Sequence, residues 1–417
     1  MQTWLIRLAL AATLILPAFI MHGRGVAEVL IGVVDVLFLA HCLIRRDWGW
    51  VRSRWVWVAG AWWGWLVVCS LPGVGIGGVK SLVQALVMVR FLLFVAALEH
   101  AVLVERAARR WLQWVLNACT LYIAGQTLLQ LATGQNLQGY PRRDSGELTG
   151  PFENARAGAP LSRLLFPTML PWLDRLGRAG GLVLTVAGVG VVVLIGQRMP
   201  LLLTVFGLVV AALMLPRLRL ATVVALGVGA LLLAASAVAV PPTFYRLVTK
   251  FSAQMENFPA SDYGLIGARA AFIALDHPVF GQGFDGFRNA CPDPRYFRSV
   301  VPERPDGGGE EICNIHPHNH YLEAVTNAGF PGLVLFSAMI VAWLRELGRG
   351  LWRNPDPLRV GLLVSALIQE WPIASASGFT AVEIGGFFFL LLGYGLAVAR
   401  AASSTSATLP AGSMPSR

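Results

Sequence analysis

Apolar runs of about twenty residues recur along most of this 417-residue chain, and that repetition constrains the fold more than any single motif. Such a run crosses the hydrocarbon core of a bilayer as an α-helix, and in lipid a backbone must satisfy its own hydrogen bonds. Composition agrees. Apolar residues make up 56% and charged residues 13% of the chain, against roughly 45–50% and about 25% in soluble domains. The expected fold class is an all-α polytopic membrane protein. A formal charge of +10 would suggest a nucleic-acid partner in a soluble chain; here it reads as a topology signal, and no nucleic acid is expected.

Hydropathy places about twelve spans, at 3–21, 27–44, 55–71, 81–99, 111–132, 157–173, 180–196, 200–215, 219–240, 329–345, 358–375 and 384–399. The first run carries Arg7 inside it and lacks a small-residue cleavage site, so it reads as a helix rather than a signal peptide. Arginine clusters follow alternate spans: Arg45, Arg46, Arg52 and Arg54; Arg106, Arg109 and Arg110; Arg175 and Arg178; Arg217 and Arg219; Arg345, Arg349, Arg353 and Arg359. One assignment satisfies all of them: these loops and both termini are cytoplasmic. The expected organisation is helices one to nine over 1–240, a large outer loop over 241–320, helices ten to twelve over 321–400, and a disordered cytoplasmic tail over 401–417.

Two outer loops are long, 133–156 and the large one, and long loops in compact helical proteins are functional or disordered. In "TFYRLVTKFSAQMENF", Phe244, Leu247, Val248, Phe251 and Met255 share a helical face, which either lies on the membrane or packs against the rest of the loop. Cys291 and Cys313 are the only cysteines of the large loop and can pair on an oxidising side.

The loop ends in "NIHPHNHYLEAVTNAGFPG", which holds His316, His318 and His320. In a strand the three would share a face and could bind a metal. Pro317 and "YLEAVTNAG" instead suit a helix start, with Pro317 at the first helical position and His318 in the first turn. There the helix dipole disfavours imidazolium, and a neutral imidazole accepts a proton. The competing reading is an interfacial histidine that only caps. Arg198, in a short outer turn, and Arg269, on a loop helix, are candidate phosphate cations. Arg142 and the intramembrane Arg90 are further candidates.

Taken together these residues resemble a known family. His318-Asn319, nine residues and Gly329 resemble the His-(Asn/Ser/Gln)-x9-Gly signature of bacterial O-antigen ligases. "RAAFIALDHPVFGQGFDGF" resembles the superfamily's Arg-led helix followed by His-Pro-x-x-Gly-x-Gly, and "GPFENARAGAPL" is similar to its Gly-x-Phe segment. The resemblance implies a GT-C-like helical fold and an inverting glycosyltransferase that needs neither metal nor other cofactor. Its implied partners are an undecaprenyl-pyrophosphate-linked glycan donor, a lipid A–core acceptor and membrane lipid, met at the periplasmic face of the inner membrane. His318 would be the general base, Arg198 and Arg269 would hold the pyrophosphate, and His316 and Asn319 would orient substrates. An O-antigen polymerase or protein O-oligosaccharyltransferase shares the donor and is the nearest rival; a lipid-linked sugar flippase is a rival of another class.

Overall fold

The structure, a computed structural model, describes residues 4–376 and 378–408. Among them no strand forms, only two isolated bridges. Helices α1 (Trp4–His22) and α2 (Arg24–Arg45) are followed by α3 (Arg54–Cys69), α4 (Gly78–Val87), α5 (Val89–Ala97) and α6 (Arg106–Thr133). After the 133–156 loop come α7 (Gly158–Met169), α8 (Leu173–Ile195), α9 (Arg198–Met214) and α10 (Arg219–Ala239).

By length and composition, eight helical stretches among the described residues can cross a membrane. The count of twelve expected from hydropathy is not reached by this measure, for two reasons. Helix α3 has 16 residues, α9 17 and Pro357–Gln369 13, short of the roughly twenty that a full crossing takes. The stretch Gly158–Ile195 is one continuous run of 38 residues. It is a hairpin turned at Gly177: Leu165 lies under Gly188, and the Gly158 amide meets the Gln197 side chain at the far end.

The bundle has a protein core and an apolar rim. Ala9, Ile31, Phe91, Phe94, Leu112, Phe387 and Phe389 are fully buried, while Val29, Val36, Leu121, Val183 and Leu231 are exposed on long helices, as contact with lipid requires. Small residues let helices close up. A Cβ on Gly361 would stand 2.6 Å from the Phe166 carbonyl oxygen, so α16 (Pro357–Gln369) runs directly against α7.

The loops sort to two ends. At one, Ser53 meets His100 at 3.1 Å, Arg217 pairs with Asp174, and Arg359 donates to the Arg349 carbonyl at 2.6 Å. These contacts gather the basic loops. The 133–156 loop, the Gly196–Arg198 turn and the 241–320 segment meet at the other end, through contacts such as Thr243 Oγ1 to the Gly146 carbonyl at 3.0 Å. Helix α17 (Val382–Thr408) takes in the start of the expected tail, and 409–417 lies outside the described residues.

The large loop is folded. It contains α11 (Pro241–Phe244), α12 (Lys250–Glu256), α13 (Asp262–Asp276) and α14 (Gly286–Ala290). Leu265, Ile266, Ile273, Phe287, Tyr296 and Ile312 form a separate small core, each side chain worth about 1.5–3 kcal/mol in burial. The Cys291–Cys313 disulfide closes it.

Helix α15 (His320–Gly348) is broken at Ala328 and Gly329. Gly329 has φ 66° and ψ −171°, a region that is essentially glycine's alone. The break frees backbone groups, and the HPVFGQG loop takes them. Gln282 N donates to Thr326 O at 2.8 Å, Gly283 N to Asn327 O at 2.9 Å, and Phe330 N to Pro278 O at 2.8 Å. Trp65 Nε1 adds a bond to Ala328 O at 2.9 Å. The two glycine-bearing motifs are thus halves of one joint that fixes the outer loop onto α15.

Candidate active site

His318 stands at the loop-bearing end, just before α15. It lies outside the helix. Asn319 is the N-cap, its Oδ1 accepting from Tyr321 N at 2.9 Å and Leu322 N at 3.0 Å. The expectation that Pro317 opens the helix and His318 sits in its first turn is corrected: asparagine caps better than the residues before it. His318 takes a left-handed backbone instead, at φ 54°, a conformation uncommon outside glycine. Two straps on the 371–376 segment hold it there. Ala376 N donates to His318 O at 2.7 Å, and Asn319 Nδ2 donates to Pro372 O at 2.6 Å and Ala374 O at 3.3 Å. Asn319 therefore has no donor or acceptor left for substrate, and its expected orienting role becomes a structural one.

The tautomer of His318 follows from its neighbour. Asn314 Oδ1 accepts from Ile315 N at 2.8 Å, so its amide nitrogen is what faces His318 Nε2 at 2.9 Å. Nε2 is then the acceptor, and the proton sits on Nδ1. Burial pulls the His318 pKa below its ordinary value, and a hydrogen bond to the Ala376 backbone works the other way. Neutrality thus comes from burial, rather than from the helix dipole invoked on sequence grounds.

His316 packs edge-on to His318, ring centroids 4.6 Å apart. It is buried, and among the described residues neither of its ring nitrogens has a hydrogen-bond partner. Burial first, then His318 and His320, hold its pKa down at about 4. His320 turns inward, with Nδ1 at 3.0 Å from the buried Glu370 carboxylate. His318 and His320 are engaged by different partners, Asn314 and Glu370, while His316 has none among the described residues. Among the described residues no group of three or more His, Cys, Asp or Glu side chains is gathered as a metal ion requires.

Tyr263, on α13, links the histidines to Arg198. Its ring stands 5.6 Å from that of His318, and it lies within electrostatic reach of Arg198. Arg198 opens α9. Its Nε donates to Arg246 O at 2.7 Å, and its Nη1 reaches Gln254. Arg246 pairs with Glu147. This end of the bundle therefore offers a neutral imidazole and two guanidinium groups.

The other expected cations are each held by contacts of their own. Arg269 is 1% exposed. Its guanidinium donates to Cys291 O at 2.9 Å, Gly309 O at 3.1 Å and Gly307 O at 3.2 Å, over the Phe297 ring. These contacts hold the disulfide-closed segment together, and the buried Nε of Arg269 has no partner among the described residues. Arg142 donates to Gly146 O at 2.8 Å and Thr243 Oγ1 at 3.2 Å, so it ties two outer loops. Arg90 meets Glu28 at 3.4 Å within the helices, away from His318. Sequence reasoning missed Tyr263, Asn314 and Glu370. Only Glu370 left a signal, a lone acid at the end of an apolar run.

Fold and site together define a multi-pass helical membrane protein with polar chemistry gathered at one end. Residues 183–337 match the family model described as O-antigen ligase, a stretch that holds Arg198, Arg269 and His318. The match covers little more than a third of the chain and supports a likeness to that family, which is a glycosyltransferase-like ligase and polymerase family. No curated protein matches the chain.

Proposed function

We propose that the protein is an O-antigen ligase of the bacterial inner membrane. It would transfer a glycan from undecaprenyl pyrophosphate to lipid A–core at the periplasmic face, by a metal-independent, inverting route. The observation that carries this reading is the placement of His318: an imidazole whose pKa burial lowers, held in left-handed backbone, with the Tyr263 ring 5.6 Å away.

In the proposed step the acceptor hydroxyl displaces the Asn314 amide from His318 Nε2. Its oxygen attacks the anomeric carbon from the face opposite the pyrophosphate. As the new C–O bond forms, the bond to the pyrophosphate breaks and its electron pair leaves on the phosphate oxygen. The hydroxyl proton passes to Nε2. Arg198 stabilises the charge that develops on the leaving group; loss of one such donor costs roughly 10²–10³ in rate. His316, with both ring nitrogens unengaged by described residues, is placed to bind a sugar hydroxyl.

The test is transfer by purified protein in lipid vesicles, given lipid-linked glycan and either lipid A–core, a second lipid-linked glycan or a pilin-like protein. Glycan on lipid A–core is the expected product. Chain extension of the donor would identify a polymerase, and glycan on protein an oligosaccharyltransferase. Unchanged transfer by His318→Ala would remove His318 as the base.

A further inference from the structure

We propose that Arg246 and Glu147 complete the phosphate site around Arg198: Arg246 is the second cation for the donor's diphosphate, and Glu147 is the carboxylate that the diphosphate displaces. This rests on the reading of Arg198 as donor-binding. It goes beyond that reading by naming the partner cation and the occupant of the resting site.

The geometry is local and built. The Gly196–Arg198 turn packs on the 145–148 strip, with Leu148 N donating to Ile195 O at 3.1 Å. Arg198 Nε is tied to the Arg246 carbonyl at 2.7 Å, which sets the two arginines side by side. Glu147 stands on that strip, its side chain 7% exposed, paired with Arg246 Nη1 and accepting from Ser145 Oγ at 2.9 Å. Arg246 Nε is buried with no partner among the described residues.

Charge decides the argument. Two guanidinium groups face one carboxylate, and Gln254, the other side chain on Arg198, is neutral. One positive charge is left over at a site where Arg246 remains 34% exposed. Burying a carboxylate is costly unless cations pair with it, so Glu147 marks where an anion is stable. A diphosphate carries more charge than a carboxylate and suits two guanidinium forks. Both terminal nitrogens of Arg269 are engaged by the carbonyls of Cys291, Gly307 and Gly309, so its guanidinium is held in the disulfide-closed segment, whereas Arg246 is tied to the Arg198 turn itself.

The experiment uses the full chain in detergent, with farnesyl pyrophosphate as the binding probe and lipid-linked glycan as the donor for kinetics. Arg246→Ala is expected to raise the donor KM and the Kd for farnesyl pyrophosphate roughly ten- to hundred-fold, with Arg246→Lys recovering part of the loss. Glu147→Gln is expected to do the opposite and tighten both. Thermal melting without ligand checks that each variant is folded, and Arg295→Ala, exposed and paired only locally with Asp293, serves as the unaffected control. If Arg198→Ala weakens binding while Arg246→Ala does not, the inference is overturned and the parent reading stands. Weaker binding by folded Glu147→Gln overturns the displacement. If Arg198→Ala itself leaves binding unchanged, the parent reading falls and this inference with it.

Discussion

Gly329→Ala tests whether the outer loop is docked into the break in α15. Two costs add. Alanine at φ 66° and ψ −171° is strained by about 1–3 kcal/mol. Its Cβ would also stand 2.5 Å from the Val279 carbonyl carbon and 2.6 Å from the Pro278 carbonyl oxygen. That collision pushes the HPVFGQG loop outward and removes the bonds Gln282–Thr326, Gly283–Asn327 and Phe330–Pro278, each worth about 0.5–1.5 kcal/mol. The expected total is about 2.5–7.5 kcal/mol, a large share of a stability of roughly 5–15 kcal/mol. Fluorescence-detected melting in detergent and limited proteolysis within 277–313 read the effect. Gly125→Ala, on α6 where a Cβ meets nothing within 4 Å, is the control. A Gly329→Ala protein that melts like the parent, with a loop equally resistant to protease, would refute the docking argument.

Further outcomes follow from the same geometry. His318→Ala should lower transfer by about 10²–10⁴-fold, and burial should put the acid limb of the pH–rate profile below the ordinary histidine value of 6.5; a limb above it counts against His318 as base. His316 is held neutral down to about 4 against 6.5 unfolded. Its contribution to stability is therefore full above 6.5 and lost progressively as pH falls toward 4, on the order of 3 kcal/mol in all, to be read in melts of His316→Asn against the parent across that window. Cys291→Ser with Cys313→Ser should cost about 3 kcal/mol for a closed segment of 22 residues and leave the loop protease-sensitive, matching the parent under reducing agent. Arg269→Met should destabilise the loop by about 3 kcal/mol through its orphaned carbonyls; a variant that melts normally yet fails in transfer would return Arg269 to the leaving-group site.

The membrane-helix fold was legible because the bilayer imposes one length and one chemistry on every span, and the Cys291–Cys313 pairing because only two cysteines share the loop. The site was less so. Arg198 and Arg269 look alike in sequence, both arginines expected on the outer side, one in a short turn and one on a loop helix. What separates them is whether backbone carbonyls close around the guanidinium, and those carbonyls come from Cys291, Gly307 and Gly309, 22 to 40 residues away. The helix start was misjudged at Pro317 because Asn319 wins as cap through two amides, while the 371–376 segment holds what precedes it. Arg246 and Glu147 were visible only as loop charges until folding set them against the Arg198 turn.

The joint at Gly329 has a consequence for exchanging parts between proteins of this kind. The loop side of the joint is written in residues 277–283 and the helix side in 326–330, with the disulfide-closed segment and the histidines strung between them. A transplant of the outer loop that ends before 326 would separate the two halves of one fitting. A transplant carrying 277–330 as a block would bring its own socket, and His318 would arrive already aimed.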